Sequence, residues 1–124
     1  MGARATITIF QEYSETPLNL YTHWGGAEIC QTLSAGLRKA KQEGRLNDSA
    51  YCTRIIFDTL TGLEGGSTGY GIIIGEHDDI NYDSPVLIFR NGQEPMVRYN
   101  ELECTARNWV TLFPEPADGI TVVV

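Results

Sequence analysis

The chain has 124 residues, a formal net charge of −7 at pH 7, 42% hydrophobic and 20% charged residues. That length suits a single domain over residues 1–124 with a real core, and the composition excludes collagen-like, disordered and bilayer-spanning chains. The acidic balance argues against a nucleic-acid polymer as partner, because cationic side chains must replace counterions along its backbone, whereas a small phosphorylated ligand needs only a few local arginines and amides.

The first predicted element is a strand over residues 5 to 10, with Ile7 and Ile9 on one side and Thr6 and Thr8 on the other. The N-terminus leads into it without the apolar core and cleavage site of a secretory signal, which predicts a soluble, cytosolic protein. A polar stretch over residues 11 to 17 separates it from a second alternating strand, residues 18 to 22, so the pair reads as a hairpin.

The second strand runs into Leu20-Tyr21-Thr22-His23-Trp24-Gly25-Gly26, directly ahead of a predicted helix over residues 27 to 42. A helix start exposes unpaired amides and the positive end of the dipole, and glycines let an anion come close, so phosphate is the natural candidate here. Alternatively Gly25 and Gly26 only let the chain turn, with Trp24 plugging the core and His23 at the surface. The helix has Glu28 near its start and Arg38, Lys39 and Lys41 in its last turns, which complements the macrodipole. Gly36, inside its pattern, reads as a point of close packing.

Asn47-Asp48-Ser49 offers N-caps for a second helix, in which Tyr51, Cys52, Ile55, Ile56 and Leu60 make an apolar face before Gly62. Residues 63 to 69 are glycine-rich and irregular, and residues 70 to 75 form a strongly apolar strand around Ile72, Ile73 and Ile74. After the acidic loop Glu76-His77-Asp78-Asp79, the runs 86 to 89 and 96 to 99 flank Asn91-Gly92 as a second hairpin. Residues 101 to 113 suit a strand or a short mixed segment, and residues 120 to 124 a β-branched terminal strand. The order favours an α+β fold, an antiparallel β-sheet with two helices packed on one face.

Cys30, Cys52 and Cys104 are too few and too far apart for a disulfide framework or a Cys-x-x-Cys metal site, and Cys30 and Cys52 read as core thiols. His23 and His77 are the two histidines, and neither sits in a Ser-His-Asp pattern or beside a nucleophile elbow. The acidic loop lacks the spaced oxygen ligands of an EF-hand and reads as solvated, so no metal site is expected. Arg54 precedes Asp58 by one helical turn, which fits a surface ion pair, while its guanidinium fork also suits a phosphate or a stacked base. Arg90, Arg98 and Arg107 are interleaved with aromatics, and Tyr82, outside every periodic segment, is the best candidate for an exposed stacking ring. Asn91 has a turn-forming reading of its own.

Leu20-Tyr21-Thr22-His23-Trp24-Gly25-Gly26, Arg54-Ile55-Ile56-Phe57, Thr68-Gly69-Tyr70-Gly71-Ile72 and the Asp/Asn-rich loop ahead of Pro85 together resemble small phage-encoded proteins that include the Thoeris anti-defence sponges. The resemblance implies a non-enzymatic binding protein, without cofactor, that holds a cyclic ADP-ribose immune signal made by bacterial TIR-domain enzymes and does not cleave it. It also implies homo-oligomers, a dimer or an assembly of dimers, with nucleotide pockets near subunit junctions in the cytoplasm of the infected host. Some members hold cyclic oligonucleotides at a separate site. By position it assigns ligand binding to Arg54, Tyr82, Asn91 and Arg107, and through the heptapeptide to His23 and Trp24. Tyr82 stands where the family pattern has phenylalanine, and the tail beyond Asn100 lies outside the matching stretches. Two other readings compete: a phosphodiesterase-like enzyme using His23 or His77 as general acid or base, and a protein-interaction module.

Overall fold

Alternation builds the centre of the sheet. The computed structural model of the chain describes residues 2–62, 66 and 68–114. In β1 (Ala5–Phe10) the side chains of Ala5, Ile7 and Ile9 are fully buried on one face, and β2 (Leu18–Thr22) pairs with it antiparallel, Ile7 opposite Leu20. β3 (Tyr70–Ile74) adds to the far side of β2. On the other flank of β1 come β4 (Val86–Arg90), β5 (Gln93–Tyr99) and β6 (Leu102–Thr105), giving a six-stranded sheet in the order β3-β2-β1-β4-β5-β6.

One junction departs from the wholly antiparallel sheet expected: β4 runs parallel to β1, Thr8 opposite Val86. The chain leaves β3 beside Pro17, where the Gly75 amide donates to the Pro17 carbonyl, and must return along the sheet to enter β4 in the same direction as β1. Residues 75 to 85 make that return over the second face. Asn81 binds both Arg4 and Gly2, the Thr6 and Ser84 hydroxyls meet at 2.7 Å, and Asn19 joins Thr8 to the carbonyls of Ile73 and Gly75. The buried Thr6 and Asn19 side chains are thereby satisfied, while Nε2 of His77, in the same loop, is buried with no hydrogen-bond partner among the described residues.

The first face carries the helices. α1 (Ile29–Gln42) buries Ile29, Cys30, Leu33, Leu37 and Ala40, and a short 3-10 turn, Gly26–Glu28, leads into it. α2 (Ser49–Thr61) is capped by Asp48, whose carboxylate accepts from the Tyr51 amide, and ends at Gly62. The two helices meet at Gly36, where an added Cβ would lie 3.0 Å from the Cα of Ile56, so the close packing expected there is what the glycine permits. Ile7, Ile9, Leu20, Leu87 and Val97 close the core beneath them, each contributing roughly 1.5–3 kcal/mol relative to an exposed side chain.

A third helix adds to the two expected. The ambiguous segment is β6 followed by α3 (Ala106–Leu112), capped by Thr105 through the Asn108 amide. Its Trp109 is fully buried, donates its indole N–H to the Cys30 carbonyl at 3.2 Å, and packs on Tyr99 and Phe113. The architecture is α+β. Among the described residues no helix is long and apolar enough to cross a membrane. The terminal strand expected at residues 120 to 124 lies outside the described residues.

Candidate functional site

A groove of about 640 Å³ opens on the outer side of the α1–α2 pair. The last turn of α1 supplies Lys39, its C-cap supplies Glu43, the link supplies Arg45, and α2 supplies Tyr51, Arg54, Ile55, Asp58 and Thr59. A helix turns 100° per residue, so the buried stripe Cys52, Ile56 and Leu60 leaves positions 51, 54, 55 and 58 on the flank and outer face. That is why Arg54 and Asp58 share the groove with Tyr51, and why Tyr51, expected on the apolar face, is 56% exposed.

Lys39, Arg45 and Arg54 line the groove, each beside a carboxylate, in a chain that is strongly acidic as a whole. Lys39 pairs with Glu43 at 3.1 Å, and the Nε of Arg54 lies 3.3 Å from Asp58. Arg45 is 3.4 Å from Asp48, and its guanidinium carbon sits 4.7 Å from the centroid of the Tyr51 ring. Exposed ion pairs of this kind are weak enough for a multiply charged anion to displace them. An aromatic ring and an aliphatic floor beside the cations suit a ligand that joins a flat base to phosphate.

His23, Trp24 and Tyr82 are brought to a different place, the end of β2 that leads into the 3-10 turn. The His23 and Trp24 rings stand edge to face at 5.0 Å, and His23 Nδ1 lies 3.2 Å from the Tyr21 hydroxyl. Trp24, 60% exposed and so no core plug, lies against Gly69, whose φ of 96° and closeness to the indole leave no room for a side chain. Tyr82, 41% exposed, packs on Gly26, where an added Cβ would lie 2.6 Å from its ring.

The anion seat expected at this turn is closed. The Gly25 amide donates to Thr22 Oγ1 at 3.0 Å, the Gly26 amide to the Ala3 carbonyl at 2.8 Å, and the amides of Glu28 and Ile29 to the carbonyls of Gly25 and Gly26. Amides engaged in this way do not converge on a phosphate.

Asn91 is exposed in the turn between β4 and β5. Arg107 lies at the start of α3, where its amide donates to Glu94 Oε2 at 2.7 Å and its Nε is 3.6 Å from Oε1. It also lines a small groove of about 210 Å³ with Arg38, Lys41 and Leu46. Arg54, Asn91, Arg107 and the group His23, Trp24 and Tyr82 thus sit on different elements: α2, the β4–β5 turn, the start of α3, and the end of β2 with the return loop. The acidic loop borders a further groove with Thr8, Asn19 and Glu15, and His77 stacks edge-on to Tyr21 at 5.8 Å. Among the described residues no three His, Cys, Asp or Glu side chains gather closely enough to hold a metal ion.

The cysteines are free thiols, Cys30 and Cys52 buried as expected. Burial pushes Cys52 up to about 12, with the Asp48 charge adding to it. Burial also raises Cys30, opposed by the Tyr99 hydroxyl, and raises Cys104. Thiols held protonated in this way are poor nucleophiles.

The sequence points to Arg54 but not to its groove partners. Tyr51 falls within the predicted apolar stripe, Lys39 among the helix-end charges, and Arg45 carries no sequence signal of its own. The available signal was geometric, since Tyr51 and Arg54 lie one turn apart with Ile55 on the flank of the stripe. No family model, curated protein or solved structure matches the chain.

Proposed function

We propose that this protein is a nucleotide-signal sponge. It binds a cyclic ADP-ribose immune signal, holds it without cleavage, and so suppresses Thoeris-type immunity in the cytoplasm of a phage-infected bacterium. The observation that carries the binding part is the groove itself: Lys39, Arg45 and Arg54 with an exposed tyrosine in a chain of net charge −7. A few arginines and lysines gathered in one groove are what a small phosphorylated ligand requires, whereas a polymer requires them along an extended path. The signal identity rests on the resemblance of the heptapeptide, the Arg54-Ile55-Ile56-Phe57 run and the Thr68-Gly69-Tyr70-Gly71-Ile72 run to the sponge family.

A sponge acts by mass action, so an enclosed pocket and a small dissociation constant matter more than any reactive group. The family's residue assignments support a homo-oligomer in this proposal, because Arg54, Tyr82, Asn91 and Arg107 are spread over the protomer and would share a ligand by meeting across subunits. A second pocket for cyclic oligonucleotides belongs to the same proposal.

The test is to incubate purified protein with cyclic ADP-ribose isomers, wash it, denature it by heat and identify the released species by mass spectrometry. Intact cyclic nucleotide is the expected result. A hydrolysed product would replace the sponge with a phosphodiesterase-like enzyme. No retained nucleotide, together with an unshifted melting temperature, would leave the protein-interaction module in its place.

A further inference from the structure

We infer that Tyr51 is the base-stacking residue of the α1–α2 groove, with Arg45 as the second layer of the stack. This rests on the nucleotide-binding reading above and names how the base would be recognised. Four observations carry it. Tyr51 is 56% exposed, although it stands beside the fully buried Cys52. Arg45 already holds a planar cation over the ring, 4.7 Å from its centroid, and Asp48 steadies that guanidinium at 3.4 Å. Ile55, one turn on from Tyr51, gives the groove an apolar wall, and Arg54 stands beside it.

A tyrosine flanked by a guanidinium on one side accepts a heteroaromatic base on its other side, so base, ring and cation form one stack. The stack places the base beside Tyr51 and the attached phosphates within the reach of Arg54 and Lys39. A purine ligand carrying a pyrophosphate has the two parts that such a groove separates, a flat apolar base and a compact double charge. Stacking reads the base by its face, so this groove discriminates nucleotides from simple phosphates more than one base from another.

The experiment compares two probes, cyclic ADP-ribose and inorganic pyrophosphate, by isothermal titration with the wild type, Tyr51→Leu, Tyr51→Phe and Arg54→Ala. Tyr51→Leu keeps apolar bulk at an exposed position and removes the ring, so it is expected to weaken cyclic ADP-ribose by about 5- to 150-fold and leave pyrophosphate unchanged. Tyr51→Phe retains the wild-type affinity for both, and Arg54→Ala weakens both. If Tyr51→Leu binds cyclic ADP-ribose as well as the wild type while Arg54→Ala does not, the stacking assignment is overturned and the nucleotide-binding reading stands. If the wild type binds neither probe, both are overturned.

Discussion

Arg54 separates a structural from a functional reading most cleanly, because its cost to folding can be worked from its surroundings. Its side chain is 77% exposed and its ion pair is with Asp58, one turn along the same helix. A pair of that kind contributes about 0.3–0.5 kcal/mol, and alanine is at least as good a helix former as arginine. Arg54→Ala should therefore cost no more than about 0.5 kcal/mol of folding stability, a fall in Tm of about 2 °C. A charge-assisted hydrogen bond to a phosphate contributes about 1.5–3 kcal/mol, which is about 10- to 150-fold in Kd. Arg54→Lys keeps the charge without the planar fork and should fall between the two. Isothermal titration with cyclic ADP-ribose gives the first quantity and urea unfolding followed by circular dichroism the second. A variant that binds like the wild type would refute the assignment of Arg54 to the ligand, and one that loses about 2 kcal/mol of stability would make the arginine structural.

Three further outcomes follow from the packing and the titrating groups. Gly36→Ala gains about 1 kcal/mol of helix propensity, but its Cβ would press within 3.0 Å of both Cα and Cγ1 of Ile56, so α2 has to move. Overpacking of about 1–3 kcal/mol wins, and urea unfolding should show a net loss; a gain would mean the helices have room to spare. Ser34 has a buried hydroxyl with no hydrogen-bond partner among the described residues, so Ser34→Ala should stabilise by about 1 kcal/mol in the same assay, and destabilisation would reveal a partner for it. Cys52 is raised in the folded state to about 12 from 9.0, so its contribution is complete below pH 9. Above that the unfolded thiol ionises first, and stability falls by about 1.4 kcal/mol per pH unit until the folded pKa is passed. Unfolding at pH 8 and pH 10.5 should show the fall, with a shallower slope in Cys52→Ala; equal slopes would place the alkaline loss elsewhere.

The elements that were legible in the sequence are those whose periodicity repeats. Ile7 and Ile9 in alternation, Ile29, Leu33, Leu37 and Ala40 at helical spacing, and Asp48 as an N-cap each report a local conformation and a buried side without reference to the rest of the chain. The seven-residue α3 is too short for its apolar positions to establish a helical repeat, so residues 101 to 113 read as a strand or a short mixed segment. Gly36 was legible because glycine inside a helix costs stability unless something needs the space.

What lies opposite a face is not written in its period. The β3 run is strongly apolar, yet Ile72 and Ile74 are exposed because β3 is the sheet's edge. The β1–β4 pairing became parallel only because the return loop crosses the second face. The glycine turn reads as an anion seat until Thr22 and Ala3 take its amides, and Tyr51 reads as core until α2 is rotated onto the sheet. Alternation and helical spacing therefore determined the main elements and their inward sides, since both are properties of the local backbone. Strand order, the third helix and the composition of the groove were decided by tertiary packing, which alone determines the partners of residues distant in the chain.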